Sequence, residues 1–196
     1  MKVSIDARGI NLYKGSGIGT YTENLLIELL NIDNKNTYSI FWAGDNYENY
    51  KKYNSKIIFT SKKHGGFYEN YYYPNYIKEN NIDLHHIPQN GIGLNELYTS
   101  SAIVTIHDLI PYILPETVGR GYLERFLRDM PFIVNNSKAI LTVSEYSKND
   151  IIKFFPSVNP DKIFVTPLAA NKNYKPLNKF NCIDYLKNKY SIDYPF

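Results

Sequence analysis

The stretch V-T-I-H-D-L-I-P-Y-I-L-P-E runs from Val104 to Glu116 and joins an apolar, β-branched run to a proline-punctuated loop. Its first half predicts a buried strand. The strand ends at His107 and Asp108, two polar residues that follow the apolar run directly. In an open α/β sheet, ligands bind outside the carboxyl ends of the strands. We therefore expect the His-Asp pair to point into a cleft.

A second specialised strand end lies near the amino terminus. Residues 2–7 are predicted to form a strand, and the loop after them contains Gly15-Ser16-Gly17-Ile18-Gly19. An apolar-periodic helix follows this loop immediately. Because both strand ends carry unusual residues, we interpret them as parts of one site.

Strand-like and helix-like segments alternate along the chain. Strands are expected at residues 2–7, 38–43, 57–60, 83–87, 102–106, 139–143 and 162–166, and helices at residues 20–30, 67–80, 122–135, 145–154 and 181–190. Pro74 marks a break or a start, Pro131 marks a kink or a boundary, and Ser144 is a good N-cap. Strands separated by helices require parallel crossovers. The pattern predicts an α/β fold, a Rossmann-like, doubly wound, mostly parallel sheet with helices on both faces.

Composition narrows the class of protein. The 196 residues are 43% apolar, which suffices for one domain with a substantial core. A net charge of +3 argues against a nucleic-acid partner, because such proteins usually gather basic residues on one face. Cys182 is the sole cysteine, so an internal disulfide is excluded, which fits a reducing compartment. Asp6 and Arg8 interrupt what would have to be the apolar core of a signal peptide. We expect a cytoplasmic protein.

The glycine loop has two interpretations. Gly15, Gly17 and Gly19 remove side chains where a backbone must approach a ligand, and the next helix offers free N–H groups to a diphosphate. The alternative is a tight connection that needs glycine conformations only, and the segment alone favours neither. A dinucleotide fingerprint would place G-x-G-x-x-G directly after the strand, whereas this loop reads G-x-G-x-G. Asp45, near the end of the second strand, keeps a nicotinamide-binding interpretation open.

Four segments share their order and spacing with a known family. They are residues 15–24 (G-S-G-I-G-T-Y-T-E-N), 105–116 (T-I-H-D-L-I-P-Y-I-L-P-E), 141–150 (L-T-V-S-E-Y-S-K-N-D) and 161–167 (D-K-I-F-V-T-P). In these segments the chain resembles the N-terminal domain of family 4 glycosyltransferases, over nearly its whole length. The His-Asp-Leu-Ile-Pro variant resembles the branch that includes many bacterial mannosyltransferases. One departure is Ala169-Ala170-Asn171, where members usually show Gly-Val-Asp.

The resemblance implies a GT-B arrangement of two facing Rossmann-like domains. Residues 1–176 would form the N-terminal, acceptor-side domain, and residues 177–196 a helix and the start of a connection to a C-terminal donor-binding domain absent from this chain. The whole enzyme would move a hexose, such as mannose from GDP-mannose or a sugar from a UDP-sugar, onto a glycan or lipid-linked acceptor. It would retain anomeric configuration without a cofactor or metal, and this chain alone would be inactive. The alternative is a stand-alone nucleotide- or dinucleotide-binding Rossmann domain without glycosyl transfer.

The resemblance also implies roles for the two strand ends. His107 would contact the donor sugar as positive charge develops at the anomeric centre, although a histidine that caps a loop explains the residue equally well by itself. Asp108 would support it, because an Asp before a Leu-Ile-Pro turn commonly bonds its own backbone. The three loop glycines would contact the donor phosphates.

Polar residues after three strands are candidates for acceptor binding. They are Arg8, Asn11, Tyr13, Gln89, Asn90, Ser144 and Tyr146. Each of them alone is better explained as a solvated loop residue. His85 and His86 lack a third ligand at metal spacing, and adjacent strand residues face opposite sides, so we interpret both as structural and assign no metal site.

A lysine-rich segment precedes a tyrosine-rich one. The lysines are Lys51, Lys52, Lys56, Lys62 and Lys63, and residues 67–73 read F-Y-E-N-Y-Y-Y. Cations beside interfacial aromatic residues indicate possible peripheral contact with the anionic inner face of a membrane, where lipid-linked acceptors are found. We favour the alternative, a solvated charged face beside a tyrosine-rich core helix.

Overall fold

The computed structural model describes residues 1–61, 63–171, 174–192 and 194. Seven strands form one sheet in which all neighbouring strands are parallel. In chain order they are β1 (Lys2–Asp6), β2 (Thr37–Trp42), β3 (Ser55–Phe59), β4 (Leu84–Ile87), β5 (Ala102–Ile106), β6 (Ala139–Thr142) and β7 (Ile163–Val165). Their spatial order is β3-β2-β1-β4-β5-β6-β7.

The strand order reverses direction between β1 and β4. From β1 the chain adds β2 and β3 on one side, then crosses back and adds β4 to β7 on the other side. The connections on the two sides of this point diverge, which leaves a crevice outside the carboxyl ends of β1 and β4. The predicted fold class, a doubly wound α/β sheet, is confirmed.

Helices connect the strands and cover the sheet. They are α1 (Gly9–Leu12), α2 (Gly17–Ile32), α3 (Gly65–Phe67), α4 (Tyr73–Glu79), α5 (Ile110–Ile113), α6 (Arg120–Asn136), α7 (Glu145–Phe154) and α8 (Lys179–Tyr190). A π-helical turn spans Tyr68–Tyr72, and single 3₁₀ segments cover Glu48–Tyr50, Glu96–Ser101, Pro115–Thr117 and Pro160–Lys162.

Both faces of the sheet are packed. On one face Ile40 and Trp42 of β2 join Leu26 of α2 in a buried cluster. On the other face Phe41 joins a larger cluster that includes Tyr73 of α4 and the core residues of α6. Alternate residues of one strand therefore belong to different cores, as the two-residue repeat of a strand requires. This double burial explains the apolar run of β5.

The predicted elements are all present, and their ends differ from the expected ones by at most three residues. The strand at 102–106 has the predicted bounds. Helix α6 continues through Pro131, so this proline is not a boundary. The short helices α1 and α5 were not predicted, because four residues are too few to show helical periodicity.

One helical segment runs without interruption from Gly65 to Glu79 through α3, the π-helical turn and α4. Its α-helical second part begins at Tyr73, one residue before Pro74. Proline lacks the N–H that an α-helix uses, and a wide π turn just before it accommodates that loss. Pro74 therefore marks the start of the α-helical second part, one of the two predicted alternatives, within a helical segment that does not end there.

The carboxyl-terminal part has one helix, α8, which has no buried residue. Asp193, Pro195 and Phe196, where the sequence suggests the approach to another strand, lie outside the described residues. The domain boundary at residue 176 stays a prediction. In the part of the chain that the structure describes, no helix is long and apolar enough to cross a bilayer.

Candidate functional site

The floor of the crevice beside β1 is a buried ion pair. Arg8 donates through Nε to Oδ1 of Asp6 at 2.8 Å and through a terminal nitrogen to Oδ2 at 2.7 Å. Gln89, which follows β4, donates through Nε2 to the same Oδ2 at 2.7 Å. Burial alone would raise the pKa of Asp6, but the charge and hydrogen bonds of Arg8 outweigh it, and the pKa lies below its ordinary value. Asp6 is therefore ionised at neutral pH.

Glu69 extends this pair into a row of charges. Its Oε1 accepts from Arg8 at 3.2 Å, and its Oε2 accepts from Arg125 of α6 at 2.7 Å. The Arg8 side chain is 4% exposed and that of Arg125 is 42% exposed, so the row leads from the interior to solvent. At Gly93, which has φ +101°, an added Cβ would lie 2.9 Å from Cγ of Glu69. Two cations and a glycine thus fix the position of Glu69.

His107, directly after β5, is held from several sides. Its backbone N–H donates to Oδ1 of Asn90 at 2.9 Å, and its carbonyl accepts from the hydroxyl of Ser147 at 3.0 Å. The ring Nε2 lies 2.9 Å from the carbonyl oxygen of Pro88. The ring of Tyr21 meets the imidazole edge-on at a centroid distance of 4.7 Å. These contacts fix both the backbone and the ring.

The contact with Pro88 determines the tautomer of His107. A carbonyl oxygen only accepts, so Nε2 carries the proton and Nδ1 of the neutral ring has a free lone pair. Burial lowers the pKa of His107, although the bond to Pro88 partly opposes that effect. None of the described residues bonds Nδ1. The site therefore contains an uncharged imidazole with one acceptor available to a ligand.

A short polar chain lies behind this ring. Thr105 Oγ1 is 3.2 Å from the hydroxyl of Tyr21 and 2.8 Å from Nε2 of His86. Tyr21 belongs to α2, the helix that follows the glycine loop. The glycine-loop helix and the β5 turn therefore meet at one edge of the sheet, which is the arrangement expected from the two strand ends.

The structure separates the roles of the three loop glycines. Gly15 has φ +84°, a conformation that favours glycine, and a Cβ on Gly19 would collide with the backbone carbonyl of Tyr13. A Cβ on Gly17 would meet only open space. Ser16 caps α2 by accepting from the N–H of Gly19. The conformation and packing of the loop thus account for the glycines at positions 15 and 19. Neither requires a glycine at position 17, where close approach of a ligand would account for it.

The acceptor candidates after β1 occupy different depths. Arg8 is not at the rim, as the sequence suggested, but beneath it, because its charge pairs with Asp6 and Glu69. Tyr13 is half-buried at the end of α1. Nδ2 of Asn11 is buried and has no partner among the described residues. Their assignment to acceptor binding stays a prediction.

The candidates after β4 are buried and already partly bonded. Asn90 has φ +53° and donates to the hydroxyl of Tyr122 at 3.0 Å, in addition to its bond with His107. Oε1 of Gln89 is buried without a partner in the described part of the chain. A Cβ on Gly9 of α1 would lie 3.6 Å from this oxygen. Oε1 of Gln89 and Nδ2 of Asn11 are therefore a buried acceptor atom and a buried donor atom that nothing described satisfies.

The candidates after β5 and β6 differ in whether they already form hydrogen bonds within the protein. Asp108 accepts from the backbone N–H of Ile110 at 2.9 Å, the local bond expected of it, and its supporting role in a site stays a prediction. Ser144 caps α7 and donates to Ser147, which in turn holds the carbonyl of His107. Tyr146 lies in the first turn of α7 and is 75% exposed. Ser144 is therefore part of the support for His107, and Tyr146 is free to meet a ligand.

His85 and His86 are both interior residues. His85 bonds Ser4 at 2.8 Å, and His86 bonds Thr105. Burial lowers the pKa of His85 to about 4 and that of His86 to about 3, so both rings are neutral at physiological pH. Within residues 1–61, 63–171, 174–192 and 194, no three His, Cys, Asp or Glu side chains are grouped as metal ligands.

The lysine- and tyrosine-rich region has a buried and an exposed side. Tyr73 is in the core, whereas Phe67 and Tyr71 are 54% and 65% exposed. The lysines at 51, 52, 56 and 63 are exposed, and Lys62 lies outside the described residues. Membrane contact by this region stays a prediction.

Several side chains of this edge were not found from the sequence. They are Asp6, Tyr21, Glu69, Tyr122 and Arg125. Asp6 ends a strand two residues before an arginine, and that spacing was a usable signal. Glu69 and Arg125 are far apart in sequence and carry no local motif, so only the fold shows that they meet.

No family model matches the chain. Over 94 residues the chain is 32% identical to the O-antigen chain mannosyltransferase B of Escherichia coli. The alignment covers 46% of this chain and 23% of that relative, so the chain spans less than a quarter of the relative's length. The similarity is to part of a protein named as a mannosyltransferase. The family 4 assignment stays a prediction.

Proposed function

We propose that this chain is the acceptor-side domain of a retaining glycosyltransferase that moves a hexose from a nucleotide-sugar to a glycan or lipid-linked acceptor. The observation that carries the proposal is the neutral imidazole of His107, held beside the helix of the glycine loop at the carboxyl end of β5, next to the switch-point strand β4. The name of the Escherichia coli relative supports mannose as the hexose and GDP-mannose as the donor to test first.

The proposed role of His107 follows from its charge and its free nitrogen. Positive charge develops at the anomeric carbon during glycosyl transfer, so a cationic imidazole there would oppose the reaction. Burial lowers the pKa of His107 and favours the uncharged ring. Its Nδ1 can accept a hydrogen bond from a hydroxyl of the donor sugar. His107 thus positions the sugar without adding charge at the reacting centre.

The proposed role of the glycine loop rests on two amides. Gly17 and Ile18 begin α2, and no described residue accepts from their N–H groups, because the Ser16 cap reaches Gly19. The open space beside Gly17 lets a diphosphate approach these amides and the positive end of the helix dipole. In this proposal Gly17 contacts the donor, while Gly15 and Gly19 shape the loop.

The buried polar groups near the crevice are consistent with a sugar hydroxyl as the reacting group of the acceptor substrate. Asn11 has a spare donor and Gln89 a spare acceptor, and a sugar hydroxyl can bond a group of either kind. The charges of Asp6, Arg8 and Glu69 are mutually paired, so they do not require a charged ligand. Tyr13 and Tyr146 would contact the more distant parts of the acceptor.

The remaining part of the proposal concerns a second domain. In a GT-B arrangement a C-terminal Rossmann-like domain would bind the nucleotide and close over the edge that carries His107. The length of the relative beyond the matched segment is consistent with this. The dinucleotide-binding alternative has less support, because α1 separates β1 from α2 and the loop lacks the G-x-G-x-x-G spacing.

Donor screening with the full-length protein tests the proposal. We expect transfer or slow hydrolysis of a nucleotide-sugar, with GDP-mannose as the first donor in the screen. His107→Ala should lower kcat by about a hundredfold, similar to the removal of one group that stabilises a transition state. Leu97→Ala removes an exposed side chain of the segment that precedes β5, at the other end of that strand from His107, and is the control.

Two outcomes would contradict the proposal. One is the absence of turnover with every nucleotide-sugar when the folded protein binds a nicotinamide dinucleotide. The other is an unchanged kcat in His107→Ala, which would remove this residue from the site. The pH profile gives a further check, because a depressed pKa of His107 places the acid limb of kcat below pH 6.5.

A further inference from the structure

The helical segment from Gly65 to Glu79 carries two parallel rows of side chains outside the crevice. Phe67, Tyr71, Asn75 and Glu79 repeat every four residues and form the exposed row. Tyr72 and Tyr76 belong to the neighbouring, half-buried row. The space between the rows is a cavity of about 250 Å³ lined by these six residues, which we call the aromatic groove.

The rings of the aromatic groove are ordered pairwise. Phe67 and Tyr71 stack with a centroid distance of 6.3 Å and an interplanar angle of 28°. Tyr72 and Tyr76 stack at 6.1 Å and 25°. Tyr76 is fixed further by a hydrogen bond of 3.0 Å between its hydroxyl and Ser39. The two walls are therefore arranged by the helix before any ligand binds.

The chemistry of the groove matches a carbohydrate. Flat rings with negative faces attract the partly positive C–H groups of a sugar, and amide and carboxylate groups bond its hydroxyls. Phe67 and Tyr71 supply exposed rings, while Asn75 and Glu79 supply the polar groups. We propose that the aromatic groove binds a neutral oligosaccharide, the growing glycan on which the proposed transferase acts. This inference rests on the proposed function.

The direction of the helix links the groove to the crevice. A Cβ on Gly65, at the first turn, would lie 3.9 Å from a terminal nitrogen of Arg8, and Glu69 bonds Arg8 in the crevice floor. The other end lies at the amino edge of the sheet, where the carbonyl of Asn80 accepts from Lys2. A glycan whose end lies in the crevice can therefore follow this helix away from the reacting centre.

The surface continues past the groove. Tyr76 also lines a second cavity, of about 310 Å³, at the amino ends of β1, β2 and β3. Its other lining residues include Tyr53, which is 82% exposed, and Asn54, whose buried Oδ1 has no described partner. Two adjacent polar and aromatic cavities suit an extended polyhydroxyl chain better than a single sugar.

Within the aromatic groove, charge favours a glycan over an anionic membrane, whereas the second cavity is lined by Lys2 and Lys56. The lining of the groove includes the carboxylate of Glu79 and no lysine. An anionic lipid surface would repel this carboxylate, whereas a neutral sugar would bond it. Membrane binding through the same rings is the competing outcome of the test.

Direct binding of a neutral manno-oligosaccharide to the full-length protein, measured by calorimetry, tests the inference. Tyr71→Ala and Phe67→Ala should each weaken binding by about tenfold, since each removes one stacking surface. Tyr71→Phe keeps the ring and should retain affinity. Tyr185→Ala, which removes an exposed tyrosine of α8, should leave affinity unchanged. Equal affinity in Tyr71→Ala and in the unmutated protein would overturn the inference.

Two further experiments distinguish a wrong ligand for the aromatic groove from a wrong proposed function. If the rings instead anchor the protein to vesicles with anionic lipid, and Tyr71→Ala abolishes that binding but not glycan binding, the glycan assignment is wrong. With an active protein, Tyr71→Ala should raise KM about tenfold for a long glycan acceptor and leave KM for a short one unchanged. Absence of turnover with every donor would contradict the proposed function, while the calorimetric result would still decide the role of the groove.

Discussion

The loop after β1 and the turn after β5 lie at the same edge of the sheet, but they are constructed differently. In the β1 loop, the prominent groups satisfy one another: Arg8 neutralises Asp6, and the Gly19 backbone packs against Tyr13. In the β5 turn, surrounding groups hold His107 while its Nδ1 stays free. The first region mainly maintains the fold, and in the proposed function the second presents a group to a ligand. The predictions below test this difference.

The largest effect is expected in the β1 loop. Arg8→Met would leave the carboxylate of Asp6 buried without its cation, and breaking a buried pair in this way costs about 3–5 kcal/mol. We expect that loss in the free energy of unfolding, measured by urea denaturation at neutral pH. Arg125→Met removes the half-exposed partner of the same Glu69 and should cost less than about 1 kcal/mol. Similar losses of unfolding free energy in Arg8→Met and Arg125→Met would contradict the difference between the buried Arg8 and the half-exposed Arg125.

Acid should affect the two buried histidines of β4 before it affects the ion pair of the β1 loop. His85 and His86 have pKa values of about 4 and about 3, below the ordinary 6.5, so the unfolded chain binds their protons first. Their contribution is fully present above pH 6.5 and is lost as the pH falls through that value towards 4 and 3. Asp6, whose pKa is below 3.8, loses its contribution only at still lower pH.

His86→Gln tests this order, because the variant retains a polar group at 86 that does not titrate. Each proton taken up only by the unfolded chain contributes a slope of about 1.4 kcal/mol per pH unit. Between pH 6 and 5, the unfolding free energy of the variant should therefore fall less steeply, by about that amount per unit. A uniform lowering of the unfolding free energy at all pH values does not affect the prediction, which concerns only the slope. An unchanged slope would show that His86 titrates normally in the folded protein.

The next effect separates two glycines of one motif. Gly19→Ala forces a Cβ against the backbone of Tyr13 and should destabilise the protein by about 1–3 kcal/mol in thermal or urea unfolding. Gly17→Ala adds a Cβ in open space and should change stability by less than about 0.5 kcal/mol. If Gly17 contacts the donor diphosphate, Gly17→Ala should instead raise the KM for the donor. If Gly17→Ala destabilised the protein more than Gly19→Ala, the structural role of Gly19 and the ligand role of Gly17 would both be contradicted.

This contrast also shows what the sequence could and could not predict. The apolar run of residues 102–106 identifies β5 because double burial favours apolar side chains, with the hydrogen-bonded Thr105 as the exception, and alternation with helices indicates a parallel sheet. The glycine motif marks an unusual loop, but a requirement for space at Gly19 and one for a ligand at Gly17 look the same in sequence. The positions of His107 and Asn90 were predicted, yet the bond between them depends on the pairing of β4 with β5.

Glu69 shows the limit of local signals most clearly. It stands within a run of tyrosines, and its partners Arg8 and Arg125 are more than fifty residues away on either side. Sequence periodicity reports which face of a helix is buried, but it does not report which charge of another element meets that face. Three-dimensional packing is therefore needed to identify such a group.

The smallest expected effect concerns the contact that joins the two regions. Tyr21 of α2 bonds Thr105 at 3.2 Å through its hydroxyl and meets His107 with its ring edge. Tyr21→Phe keeps the ring and should cost at most about 1 kcal/mol of stability, the usual net value of one hydrogen bond. Tyr21→Leu also removes the aromatic contact, worth about 0.5–1.5 kcal/mol. If the ring of Tyr21 positions His107, only Tyr21→Leu should move the imidazole resonances in NMR and lower kcat. Equal NMR shifts in the two variants would show that the hydroxyl, rather than the ring, connects the glycine-loop helix to the β5 turn.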